Sequence, residues 1–276
     1  MNIAVLGPSG TYTEKAAKEY MQRRNLEGQL QYYSSMRKTL DAIGTECSYG
    51  VIPIENTLDG FVQIILDLLT HSKLKIIHEI VLPIRFGFIS NANTLSQVER
   101  VYAQFKTHNQ CLDFLENFTE DQIITTQSNS ASYQMLIEGK KTDGAIVPMH
   151  FLHQEQSFAL EMDDVADSVE NETRFIVLST ELNDEVSASE DWKTLLVIHD
   201  DQDRPGLLVD ILNVFAKEKI NLVSIISRPT KKGLGNYNFF IDVEGCYQRN
   251  KKVREAVLQV MNEFNVVVLG SYYRVK

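Results

Sequence analysis

The opening of the chain constrains its fold more than any other stretch. Ile3 to Leu6 is a short apolar strand that runs through Gly7-Pro8-Ser9-Gly10-Thr11 straight into a helix. A polar loop and a helix N-terminus therefore sit at a strand's carboxyl end, where α/β proteins bind anions. Thr11 and Glu14 have the spacing of a capping box, and Ala16, Ala17, Tyr20 and Met21 recur at helical intervals. The loop is either a ligand site or only a tight strand-to-helix turn. A nucleotide fits neither case, because Gly7 and Gly10 lack G-x-G-x-x-G spacing and no Gly-Lys-Ser/Thr follows.

Strands and helices then alternate. Strands are expected at Ile3–Leu6, Gln31–Ser34 and Gly50–Ile54, with helices at Thr13–Arg24, Met36–Ile43 and Phe61–Leu69. A second set has strands at Ile84–Ser90, Val101–Gln104, Ile123–Thr126 and Gly144–Val147, with helices at Gln110–Phe118 and Ser130–Glu138. Such alternation indicates mostly parallel sheets, and two comparable α/β lobes imply a cleft between them. Beyond residue 193 the order is strand Thr194–His199, helix Gly206–Lys219, strands Leu222–Ser227 and Tyr237–Val243, a helix carrying Val253, Val257, Val260 and Phe264, and a strand Val266–Tyr273. This βαββαβ order is a ferredoxin-like unit. Residues 181–193, acidic and without apolar periodicity, read as the linker. The expected domains are thus 1–180, with a second lobe at about 84–152, and 194–276.

With 276 residues and 43% hydrophobic content the chain can bury a full core. No apolar run approaches the roughly 18 residues that span a bilayer, and the N-terminus lacks the flank and core of a signal peptide, so a cytoplasmic location is the default and no membrane partner is expected. Three widely spaced cysteines make neither a disulfide framework nor a metal pair. The net charge of −10 argues against nucleic acid. It is local: Glu155 to Asp191 holds twelve acids and one base, Arg174, and reads as a solvated helix face followed by the linker.

Four segments carry a resemblance: Gly7-Pro-Ser-Gly-Thr11; Tyr49-Gly-Val-Ile-Pro-Ile-Glu-Asn-Thr57 with Gly60; Asn171-Glu-Thr-Arg-Phe175; and the C-terminal unit with Gly206-Leu-Leu and Ile226-Ser-Arg-Pro229. In this order, over nearly the whole chain, they resemble the prephenate dehydratase family. The resemblance implies a two-lobed, periplasmic-binding-protein-like catalytic domain followed by an ACT regulatory domain. It implies decarboxylating dehydration of prephenate to phenylpyruvate, inhibition by phenylalanine at the ACT domains, a homodimer or homotetramer, and no metal or organic cofactor. The chain is expected to be the monofunctional form, since no chorismate mutase segment precedes residue 1. An arogenate dehydratase or a non-catalytic amino-acid sensor are the alternatives. A sensor would not require Glu55-Asn56-Thr57 together with Thr173-Arg174-Phe175.

Prephenate is a dianion whose ring becomes aromatic as carbon dioxide and water leave. A hydroxyl-rich, sparsely charged site that orients both carboxylates and donates to the departing hydroxyl suits this. By resemblance, Thr173 is that donor; by spacing alone it merely opens the strand Arg174–Leu178. Arg174 either anchors a substrate carboxylate or neutralises neighbouring acids, and Phe175 packs the substrate ring or the core. Asn56 and Thr57 are expected to orient substrate, Glu55 to hold a residue or loop beside it, and Ser9, Gly10 and Thr11 to offer hydroxyls and N–H groups to a carboxylate. Gln110 and Ser128 are further candidate contacts. Ala103, Gln104 and Asn129 stand where the family has Ser, His and Thr. For the effector, Gly206, Leu207, Leu208, Asn221, Leu222, Ile226, Ser227, Arg228 and Pro229 are expected to bind phenylalanine beside an adjacent subunit. Ile226 replaces the family's Glu there.

Overall fold

The computed structural model describes residues 1–152, 157–182, 191–199, 204–233 and 235–275. Most of the expected linker, 181–193, lies outside the described residues.

Two sheets organise the chain. The larger runs in the order Leu222–Pro229, Tyr237–Glu244, Trp192–His199, Asn265–Arg274, Lys75–Pro83, Glu172–Ser179, Tyr49–Asn56, Asn2–Leu6 and Gln29–Tyr33, with Gly60–Phe61 paired to Tyr49–Asn56. The smaller runs Leu160–Met162, Phe86–Ser90, Asp143–Pro148, Arg100–Gln104 and Ile123–Thr126. The last four strands of the chain have the expected ferredoxin-like arrangement. They do not stand apart, however: Tyr273 pairs with His78 and Arg274 with Glu79, so the C-terminal sheet continues into that of the first lobe. The sequence boundary is not a structural gap.

Both sheets are mixed rather than mostly parallel. Asn2–Leu6 runs parallel to its two neighbours, whereas Glu172–Ser179 is antiparallel to both of its own. Lys75–Pro83, a central strand, has no counterpart in the sequence expectation, because buried His78 and Glu79 interrupt its apolar run. The expected helix at 110–118 shrinks to the single turn Leu112–Leu115, and a separate short helix, Phe105–His108, precedes it. The second lobe extends past 152, since Leu160–Met162 pairs with Phe86–Ser90. Among the described residues of the acidic segment, 157–182 and 191, there is loop and strand and no helix face. Its carboxylates act locally: Asp167 accepts the Leu112 and Asp113 N–H groups, and Asp164 pairs with Arg85 at 3.1 Å.

Packing follows from period-two burial in the C-terminal sheet. Leu195, Val197, Phe240 and Leu269 face the first lobe and pack with Leu40, Ile43, Ile65, Leu66 and Leu69. Leu196, Ile198, Ile241 and Val243 face the other way, against helices Leu207–Lys217 and Lys251–Glu263. No helix among the described residues is long and apolar enough to cross a membrane.

Candidate active site

The two lobes meet where Glu172–Ser179 begins. Thr173 is the second residue of this strand and lies opposite Asn56, the last residue of the antiparallel Tyr49–Asn56, so the amino end of one strand meets the carboxyl end of the other. Asn56 Nδ2 donates to Thr173 Oγ1 at 2.9 Å, to Asn171 Oδ1 at 2.7 Å and to the Glu172 carbonyl at 3.0 Å. Its Oδ1 accepts the N–H groups of Leu58 and Asp59, both at 3.0 Å, which fixes which end of the amide points at Thr173. Asn171 Nδ2 in turn donates to Gln110 Oε1 at 2.9 Å. A polar chain, Gln110–Asn171–Asn56–Thr173, thus crosses from the second lobe to the first. Thr173 and Gln110 are each 9% exposed and Asn171 is 1% exposed, while Asn56 between them is half-buried. With its oxygen already accepting from Asn56, the Thr173 hydroxyl has its proton free to donate.

Asn171 belongs to the segment that carries the resemblance, yet it is absent from the expected contacts. Its position in a loop gives no periodicity to mark it; only its burial and two amide partners do. Thr57 braces the backbone, its hydroxyl donating to the Glu172 carbonyl at 2.9 Å and accepting the Glu172 N–H at 2.8 Å.

Other candidates are placed differently. Phe175 is 1% exposed among Ile3, Val5, Ala16 and Val177, so its ring fills the core rather than a substrate pocket. Of the two roles open to Arg174, the geometry gives charge neutralisation: the guanidinium pairs with Glu55 at 3.0 Å, Asp242 at 3.1 Å and Glu79 at 3.4 Å, with Tyr272 Oη at 3.2 Å. Burial works against this charge, but Tyr272, Asp242, Glu79 and Glu55 outweigh it and hold the guanidinium above its ordinary pKa. Glu55 accordingly holds another residue, Arg174.

The Ser9–Thr11 loop is clamped to the second lobe. Ser130 Oγ donates to the Ser9 carbonyl at 2.6 Å, and His150 Nε2 bonds the Gly10 carbonyl at 3.1 Å. Burial lowers the His150 pKa, favouring the neutral ring. The Gly10 N–H already has an anion: it donates to Glu14 Oε2 at 2.5 Å, which displaces the expectation that this group serves a substrate carboxylate. Gly10 has φ +81°, and a Cβ there would lie 2.6 Å from the Phe151 ring, so the position requires glycine. A cavity of about 620 Å³ beside the loop is lined by Ser9, Thr11, Lys15, Lys18, Tyr133 and His150 among others; Thr173 is not on its wall. Thr11 caps Tyr12–Arg23, and Ser128 caps Asn129–Ile137 through the Ala131 N–H. Gln104 caps Phe105–His108, and Asn129 accepts from the Thr107 hydroxyl at 2.7 Å, so these departures from the family have structural work. Lys106 bridges the lobes to Asp59 at 2.9 Å.

The expected effector residues are dispersed. Gly206, at φ +86°, precedes helix Leu207–Lys217, and Leu207 is buried in the core beneath it, with Leu208 packed beside it. Asn221 bonds Glu244 at 2.9 Å and Leu222 packs on the same core. Ile226 instead packs toward the first lobe, and Arg228 makes a two-pronged pair with Asp67 of that lobe, both contacts 3.1 Å. Ser227 and Pro229 are exposed on the other face of the strand.

The prephenate dehydratase family model matches residues 3–183, and that of the ACT domain matches 202–261. The chain is 32% identical over 278 residues to a bifunctional chorismate mutase/prephenate dehydratase of Aquifex aeolicus, covering 99% of this chain and 73% of that protein. It is 30% identical over 278 residues to a prephenate dehydratase of Methanocaldococcus jannaschii, covering 99% of this chain and 98% of that one. The crystal structure of a prephenate dehydratase from Arthrobacter aurescens in complex with L-Phe superposes with TM-score 0.85 at 27% identity, covering 100% of this chain and 90% of that one. With two strand ends, an amide–hydroxyl chain between two lobes and a ferredoxin-like unit fused to the first sheet, the chain belongs to the prephenate dehydratase family and carries a C-terminal ACT domain.

Proposed function

We propose that the chain acts on prephenate itself, with Thr173 donating to the ring hydroxyl as it leaves and Asn56 fixing the direction of that donation. The observation that carries this is the 2.9 Å bond from Asn56 Nδ2 to Thr173 Oγ1, which occupies an acceptor site of the hydroxyl and leaves its proton for a ligand. Threonine is a poor acid in water, yet an oriented donor in a dry site stabilises charge as it develops on the departing oxygen. Asn171 and Gln110 hold Asn56 from the second lobe, so both lobes take part in orienting the donor. Ser9 and Thr11 offer hydroxyls to a substrate carboxylate. Aromatisation supplies the driving force; the protein supplies position and the hydrogen bond.

Phenylalanine, bound in the Arthrobacter aurescens relative, is the proposed effector here. The strand Leu222–Pro229 ends the larger sheet with an unpaired edge, suited to a second copy of the chain; a homodimer or homotetramer, working in the cytoplasm, is the proposed form. The test is phenylpyruvate formation from prephenate at neutral pH, with and without phenylalanine, beside Thr173→Ala. Turnover that phenylalanine suppresses and the variant loses supports the proposal. No turnover on prephenate or arogenate, with amino-acid binding intact, makes the chain a sensor.

A further inference from the structure

We infer that Asp242 and Tyr272, both in the ACT domain, are positioning residues for the dehydratase reaction, acting through Arg174 on the Thr173–Asn56 pair. The inference rests on the role proposed for Thr173. In the register between strands, Arg174 lies opposite Glu55 and Thr173 opposite Asn56. The two rungs are successive, and side chains on successive residues point to opposite faces. On one face is the Thr173–Asn56 hydrogen bond, on the other the Arg174–Glu55 ion pair. A break in register follows at once, between Arg174 and Phe175. The ladder to Tyr49–Asn56 is thus irregular just past these rungs, while pairing with Lys75–Pro83 runs unbroken from Glu172 to Val177 and holds the backbone from the other side.

The Arg174 guanidinium takes further partners from the other domain. Arg174 Nη1 meets Asp242 Oδ2 at 3.1 Å and Tyr272 Oη at 3.2 Å, and Tyr272 donates to the same carboxylate oxygen at 2.7 Å. Asp242 and Tyr272 are both fully buried. Lys193, in the strand Trp192–His199 of the C-terminal sheet, reaches Glu79 at 2.7 Å, so two bases face the three acids Glu55, Glu79 and Asp242. Asp242 is the deepest of the acids and its Oδ1 has no hydrogen-bond partner. Burial accordingly raises its pKa, against the pull of Arg174. An arrangement this dry tolerates little displacement, since moving the ACT sheet away would strand Arg174 among acids it no longer matches. The domain that receives the effector thus grips the residue next to the proposed donor.

The test uses the full chain. Tyr272→Phe keeps the ring and removes one hydroxyl; its kcat is expected to fall about tenfold, with KM for prephenate within about twofold of wild type. Asp242→Asn is expected to lower kcat at least as far. Val214→Ala, which thins the ACT core without touching Arg174, is expected to lower thermal stability and leave kcat unchanged. On a Thr173→Ala background, Tyr272→Phe should cause no further loss of residual turnover, as residues acting as a unit do not add. Undiminished kcat in Tyr272→Phe, a loss that Val214→Ala reproduces, or a full tenfold loss on the Thr173→Ala background would each overturn the inference. Should Thr173→Ala itself keep near-normal turnover, the role of Thr173 fails, and the inference built on it falls for that separate reason.

Discussion

Replacing Thr173 by Val removes one hydroxyl, keeps the β-branched shape, and tests the donor with little structural disturbance. Asn56 Nδ2 has two protons and three acceptors, Thr173 Oγ1, Asn171 Oδ1 and the Glu172 carbonyl. Losing Thr173 Oγ1 leaves two acceptors for two protons, so no buried donor is orphaned. The stability cost is then that of one ordinary hydrogen bond, about 0.5–1.5 kcal/mol. Valine suits a strand as well as threonine does, which reduces it further. For a chain of this size the melting temperature should fall by less than about 5 °C. Turnover should respond far more: removing one oriented donor from a dry site typically costs about 10²–10³ in kcat, or ~2.7–4 kcal/mol. Thr173→Ser, which keeps the hydroxyl, should recover most of it. Phenylpyruvate formation under saturating prephenate and a thermal melt of the same preparations give both numbers. The reasoning is refuted if Thr173→Val keeps more than about a tenth of wild-type kcat, or if its activity falls only in step with its melting temperature.

Phe175→Ala should behave in the opposite way, losing about 3–5 kcal/mol of stability because a ring 1% exposed leaves a cavity among Ile3, Val5 and Val177. At a temperature where the variant is still folded, its KM for prephenate should match wild type; a selective rise in KM would return Phe175 to the substrate pocket. Asp67 supplies a pH dependence. Burial raises its pKa, but hydrogen bonds from Arg228 and Lys231 outweigh that and hold the carboxyl below its ordinary value. A depressed carboxyl contributes stability that is fully present above the unfolded value of 3.8 and is lost as pH falls through the folded value. Wild type should therefore lose melting temperature on acidification more steeply than Asp67→Asn in that window. Parallel curves for the two proteins would show that the Asp67–Arg228 contact between domains contributes no stability.

How far the sequence reaches is clearest at particular residues. The capping of Tyr12–Arg23 by Thr11, the ferredoxin-like order after residue 191 and the end of a strand at Asn56 were all legible, because caps, alternation and strand ends are written within a few neighbouring positions. The strand Lys75–Pro83 was not legible. His78 and Glu79 look like surface residues, and only the sheet that arrives from residues 265–274 makes their burial possible. The same limit hid Asn171, whose partners Asn56 and Gln110 lie 115 and 61 positions away.

Arg174 shows the division most sharply. The sequence by itself determined that one base stands in a long acidic stretch, beside the threonine proposed to donate, and that it must either meet a substrate or neutralise acids. Which acids it meets was decided by tertiary structure alone, since Asp242 and Tyr272 arrive from a separate domain that continues the first lobe's sheet. Local pattern fixes where a strand ends and which way its side chains alternate. What stands opposite those side chains depends on packing between distant segments, and a buried charge takes its role from that company.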